Sequence, residues 1–124
     1  MAEPRDIACI EWVGGDRFWF LAALHRARGN VRTLECAAYL IELDGEALYV
    51  GSTRHGIPAR MRRHSVATTP IADFLRTDGH DATVRWLHVP PSFEQKMEKQ
   101  LLRAIPTRFN SVDPRLHHVF WRAA

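Results

Sequence analysis

The sequence predicts an α+β fold: a small three-stranded antiparallel β-sheet flanked by helices, with an extra helix near the N-terminus. Three observations point there. Two short β-favouring runs flank Asp44-Gly45, a dipeptide that accepts the positive φ angles of a tight hairpin turn. Helical segments opened by Pro58, Pro70 and Ser92 follow, and a further β-rich run from Ala82 to Val89 stands between two of them. A sheet with its helices in these positions folds as layers around one core, and 124 residues suffice for that core without disulfides or a structural metal. One domain is expected over 1–124, with its core at about 37–110, an N-terminal extension over 1–36 and a C-terminal tail over 111–124.

Taken in order, the chain starts extended through Ile7 to Trp12, and Gly14-Gly15 marks a turn. Asp16 is a good N-cap for a helix to about Arg28, closed by Gly29, with Arg26 and Arg28 suiting its negative end. Phe18, Trp19, Phe20, Leu21 and Leu24 make that helix apolar nearly all round, so either the domain or a second copy must bury it. A homodimer through this helix is one expectation. Ala38 to Leu43 and Ala47 to Gly51 are the hairpin strands, carrying Tyr39 and Tyr49. Gly56 breaks the chain, and Pro58 pre-sets the first turn of a helix through about Val66, which places Arg60 and His64 on one face with Arg63 near it.

Thr69-Pro70 opens a short helix ending near Gly79, and Ala82 to Val89 is the third strand, stopped by Pro90-Pro91. Ser92 with Gln95 three residues later reads as a capping box for a helix to about Ile105. Phe93, Met97, Leu101 and Ile105 form its apolar stripe, with Glu98 at the border and Glu94 in the first turn, where a carboxylate suits the helix dipole. The tail from Asp113-Pro114 to Trp121 fits either one more helix or an irregular segment over the core.

Lys and Arg number 17 against 14 Asp and Glu, and their distribution says more than the small surplus. Arg54, Arg60, Arg62 and Arg63, with His55 and His64, crowd into eleven residues that contain no acid, a field suited to phosphate and hence to a nucleic acid. Cys9 and Cys36 have neither metal-ligand nor redox spacing and read as reduced thiols inside a cell. The longest apolar run, Phe18 to Leu24, falls far below the roughly 20 residues of a membrane span, and MAEPRD is no signal peptide, so a cytoplasmic protein without a membrane partner is expected. His117-His118 has no third ligand at convincing spacing.

In their order and spacing Tyr39, the Tyr49-Val50-Gly51 triplet, Arg60 with His64 four residues on, Glu98 and Asn110 resemble the GIY-YIG nuclease family, over about Ala37 to Asn110. The leading glycine of the first motif is absent, the sequence reading Ala37-Ala38-Tyr39, and Ser52 stands where a basic residue is common. The resemblance implies an endonuclease that hydrolyses phosphodiester bonds, most naturally in DNA. Tyr39, Tyr49, Arg60, His64 and Glu98 would be catalytic. Gly51, Ser52, Thr53, Arg54, Arg62, Arg63 and Asn110 would meet the substrate, Asn110 either orienting a ligand or anchoring the backbone.

Glu98 is the carboxylate placed to hold one Mg²⁺ or Mn²⁺, hard cations that prefer oxygen and keep several waters when one protein ligand is offered. Arg60 would stabilise the phosphate through its two-pronged guanidinium. The resemblance assigns proton removal from water to a motif tyrosine, Tyr39 or Tyr49, with His64 as a relay. An ordinary phenol is ionised at only about one part in a thousand at neutral pH, so the arginines and the metal are expected to lower its pKa. The missing glycine at Ala37 motivates a second possibility, a nucleic-acid-binding module that keeps the fold and no longer cuts. The aromatic first helix motivates a third, a protein-interaction domain.

Overall fold

Asp44 and Gly45 adopt φ of 51° and 82°, the left-handed pair that a two-residue hairpin needs, and so join β2 (Ala37–Leu43) to β3 (Glu46–Thr53) with Leu43 opposite Glu46. The computed structural model describes residues 10–29 and 34–110. Over these the order is β1 (Gly14–Arg17), α1 (Phe18–Ala27), β2, β3, α2 (Ile57–Val66), α3 (Pro70–Thr77), β4 (Thr83–His88) and α4 (Glu94–Ala104). The strands form one antiparallel sheet in the order β1-β4-β2-β3.

Helices cover both faces of that sheet. Tyr39 and Ile41 of β2 and Val84 of β4 point to the face carrying Phe18 and Leu21 of α1, Ile57 and Met61 of α2, and Ile71 and Leu75 of α3. Ala38 and Leu40, the alternate residues of β2, point with Val50 to the opposite face, where Leu101 of α4 and Ile105 beyond it close the second layer. The central strand β2 is therefore apolar without alternation, because both of its faces are covered. Each fully buried aliphatic side chain there contributes about 1.5–3 kcal/mol of transfer free energy. Thr69 accepts the Ala72 N–H through its hydroxyl and caps α3, while Gly29, at a φ of 77°, follows α1 and donates to the Arg26 carbonyl.

The sheet has four strands rather than three. The Gly14-Gly15 pair is not a turn but the start of β1, which lies antiparallel to β4 with Gly14 opposite Trp86. A Cβ on Gly14 would lie 2.3 Å from the Trp86 indole, so the glycine is there for the ring and not for a bend. Asp16 consequently sits in a strand, Arg17 precedes α1 without a side-chain cap, and the supposed extension joins the core through β1 and α1. Ser92 is not a cap either. Pro90, Pro91, Ser92 and Phe93 form a turn closed from the Phe93 N–H to the Pro90 carbonyl, with Ser92 at a φ of 74° in its third position, and Phe93 precedes α4 without a side-chain cap.

One face of the apolar α1 is buried by the domain, with Phe20 on the other 47% exposed: Phe18 is fully buried, Trp19 meets it edge-on at 4.9 Å, and the Trp19 indole N–H donates to the Gly79 carbonyl. Cys36 is a free thiol. Cys9, most of the extended start, and the tail containing Asp113-Pro114 and His117-His118 lie outside the described residues. No helix among the described residues is long and apolar enough to cross a membrane.

Because β1 exists only where Trp86 can lie over a bare backbone, Gly14→Ala is expected to lower stability by about 1–3 kcal/mol, the range for overpacking. A lower urea midpoint at constant slope would show it; an unchanged midpoint would mean that Trp86 does not pin the strand.

Candidate active site

Tyr39 is fully buried at the centre of the sheet, so its hydroxyl must find partners inside the protein. Both come from α2, four residues apart on one helical face. The Arg60 Nε–H donates to the Tyr39 oxygen at 3.1 Å, and the hydroxyl is 2.6 Å from His64 Nε2. The phenol oxygen is thus held on both sides, by a guanidinium donor and by an imidazole nitrogen whose tautomer sets the direction of the second bond. Gly51 is the cross-strand partner of Tyr39, and a Cβ there would come within 2.4 Å of the phenol oxygen. Glycine at this position clears the path from Tyr39 to α2.

Tyr49, half-buried on β3, completes an aromatic group: its ring is 6.4 Å from that of Tyr39 and edge-on to His64 at 5.2 Å. Unlike Tyr39, it reaches an open cleft of about 850 Å³. The floor of the cleft is the end of β3 and the following loop, Tyr49 to His55, and its walls are α2 and α4. Arg54, Arg60, Arg62, Arg63 and Lys99 line it against two carboxylates, Glu94 and Glu98, so its field favours an anion. The sheet topology thus gathers Tyr39, Tyr49, Arg60, His64 and Glu98 at one end of β3, with His64 and Tyr39 beneath the surface and the other three facing the cleft.

Glu98 receives the Ser52 hydroxyl at 2.7 Å, so Ser52, expected at the substrate, aims the carboxylate. One helical turn earlier Glu94 forms an ion pair with Arg54, Nε to Oε1 at 3.1 Å, and its second oxygen, Oε2, is buried with no hydrogen-bond partner. Glu94 is therefore far from the solvated dipole partner that its place in the first turn suggests. Thr53 lines the cleft and also holds the loop, its hydroxyl accepting the His55 N–H and donating to the Gly56 carbonyl.

Asn110 is not among the residues lining the cleft. Its side chain pairs with Val50 as a strand would, Oδ1 accepting the Val50 N–H at 2.8 Å and Nδ2 donating to the Val50 carbonyl at 3.0 Å, while Thr107 donates to the same Oδ1. Gly51 likewise supplies clearance and no side chain. His25 of α1, by contrast, lines the cleft and was not singled out from the sequence. The signal lay in its spacing, since His25 falls on the stripe of Phe18, Leu21 and Ala22. Lys99 was hidden, and Glu94 assigned to the helix dipole alone, because the exposed and cleft-facing sides of α4 cannot be told apart locally.

Burial reverses the expected direction of the tyrosine pKa values. Desolvation of the phenolate pushes both phenols above the ordinary value, most strongly at Tyr39, and the nearby Glu98 charge adds to this; the Arg60 guanidinium pulls the other way and is outweighed. His64 is lowered to about 3 by burial and then by Arg60 and Arg63, so it is a neutral imidazole at physiological pH. Arg60 remains charged, held by the adjacent Tyr39 oxygen.

No group of three or more His, Cys, Asp or Glu side chains among the described residues could enclose a metal ion, so a cation here would keep most of its own waters. No family model, curated protein or solved structure matches the chain.

Two outcomes are expected from this geometry. Unfolded, His64 takes a proton near 6.5, whereas folded it does so only at about 3. Between those values only the unfolded chain gains the proton, so His64 lowers stability as pH falls from about 6.5, by on the order of a few kcal/mol. Denaturant titrations at pH 7 and pH 5 should show a smaller acid loss in His64→Gln than in the wild type, and equal losses would remove His64 as the cause. Separately, Asn110→Ala leaves the Val50 N–H and C=O without their partner and is expected to cost about 1–3 kcal/mol, read as a shifted denaturation midpoint.

Proposed function

We propose that this cleft hydrolyses phosphodiester bonds in nucleic acid, DNA foremost, by attack of a water that Tyr49 orients, with Arg60 on the phosphate and Glu98 as the ligand of one Mg²⁺ or Mn²⁺. The observation that carries the proposal is the convergence of a phenol, a guanidinium and an oriented carboxylate in one open, arginine-rich cleft.

The division of labour follows from accessibility. Tyr39 is buried and hydrogen-bonded to both Arg60 and His64, which makes it a support for Arg60 rather than a partner of water. His64, neutral and buried, holds Tyr39 in turn. Arg60 donates from Nε to Tyr39 and its guanidinium also bonds the Tyr49 side chain, so it is positioned before substrate enters, and preorganised donors of this kind stabilise the charge that builds on phosphoryl oxygens. Tyr49 starts as a phenol with a raised pKa, able to orient water through its oxygen; it becomes a base as positive charge gathers beside it, the direction in which Arg60 already acts.

Glu98 fits a hard divalent cation as an oxygen donor aimed by Ser52, and a cation held there would supply Lewis-acid stabilisation of the phosphoryl and departing oxygens. Arg54, Arg62, Arg63 and Lys99 would track the backbone of the strand beyond the scissile phosphate, without reading its bases. The raised pKa of both phenols favours a second reading, a module of the same fold that binds nucleic acid without cutting it.

Nicking of supercoiled plasmid across a Mg²⁺ and Mn²⁺ titration separates the two, since a binder retards the plasmid and makes no open circles. Cleavage is expected in the wild type, with a loss of about 10²–10³ in Arg60→Ala, the effect of removing one preorganised donor, and loss of nicking with retained binding in Glu98→Gln. Undiminished nicking by Glu98→Gln would falsify the proposed mechanism.

A further inference from the structure

Glu94 is a second carboxylate at the cleft, one helical turn before Glu98, and its environment does not balance its charge. Its side chain is 6% exposed, whereas that of Arg54, its ion-pair partner, is 68% exposed. An ion pair to a largely solvated guanidinium is weak and screened by salt, while a buried carboxylate oxygen without a hydrogen bond carries a full desolvation penalty. Oε2 is such an oxygen. The Ser52 hydroxyl, which also lines the cleft, is engaged by Glu98.

A structural ion pair would leave neither feature. A carboxylate kept only to fix Arg54 would do so with both oxygens or at the surface, and a helix-dipole partner would be solvated. A divalent cation accounts for both, because it is compact enough to meet an oxygen that the guanidinium leaves without a hydrogen bond once Arg54 moves aside, and it gains most from carboxylates already stripped of water.

Resting on the nuclease reading of the same cleft, we infer that Glu94 is a further ligand for the divalent cation that Glu98 would take, and that the Arg54 guanidinium competes with the cation for it. Two carboxylates from one face of α4 then offer the ion a partly built oxygen site in place of a single contact, the remaining positions staying with water and phosphate. Arg54, displaced from Glu94 as the ion enters, turns its freed fork to the substrate backbone, so cation binding and phosphate binding reinforce each other.

Mn²⁺ alone, titrated against the full chain and followed by electron paramagnetic resonance of the free ion, reads this without any cleavage. Loss of a mere outer partner weakens a metal site by about 10–100-fold, so loss of a direct ligand in Glu94→Gln is expected to weaken Mn²⁺ binding at least about tenfold. Arg54→Ala is expected to tighten it, the opposite of what a structural pair predicts, and this variant stands even should Glu94→Gln fold poorly. Unaltered Mn²⁺ affinity in Glu94→Gln beside a weakened Glu98→Gln would overturn the inference and leave the nuclease reading intact. Absence of Mn²⁺ binding by the wild type would overturn both. Weaker binding in Arg54→Ala would also overturn it, since competition demands the reverse.

Discussion

A phenol at the centre of a sheet cannot be left without partners, and the structure around the cleft depends on how that demand is met. Tyr39 draws Arg60 and His64 to itself from successive turns of α2, which fixes the helix in rotation and in height above β2. Gly51 on the neighbouring strand must then remain without a side chain, because a Cβ would fill the space that the hydroxyl crosses. Helix, strand and glycine are thus one device. Its product is an arginine at the cleft whose inner nitrogen is fixed on Tyr39.

The same burial sets the electrostatics. Desolvation outweighs a neighbouring guanidinium at both tyrosines and keeps His64 neutral, so the resting cleft holds its protons on the phenols and its positive charge on arginine. Tyr39 and His64 beneath the cleft are therefore an uncharged support, and the charges that matter line it: Arg54, Arg60, Arg62, Arg63 and Lys99 with Glu94 and Glu98.

What the sequence disclosed and what it hid divide along the range of the interactions. Asp44-Gly45, Pro58 and Thr69-Pro70 act within a few residues, so the hairpin and the starts of α2 and α3 could be read directly. Gly14 and Ser92 were misread because their local chemistry has two uses. A Gly-Gly pair turns a chain or leaves room for a tryptophan seventy residues away, and a serine before a helix caps it or sits in a turn set by two prolines. The burial of Glu94 and the raised phenols were out of reach for a related reason: the solvent exposure of a helix residue depends on what the rest of the chain lays over it. A family resemblance nominated Tyr39, Tyr49, Arg60, His64 and Glu98 as a group, and only the packing separates those that face the cleft from those that hold it up.

The Asn110 clamp has a consequence for how the molecule behaves at high concentration. β3 is an outer strand, and an outer strand offers unpaired amides and carbonyls to any other chain. Here the N–H groups of Arg108 and Phe109 reach the carbonyls of Ala47 and Leu48, the Asn110 side chain imitates a neighbouring backbone at Val50, and Arg108 lies over the Phe74 ring of α3 at 4.7 Å. A short irregular segment thereby serves as a fifth strand in all but name, denying this edge of the sheet as a template for growth.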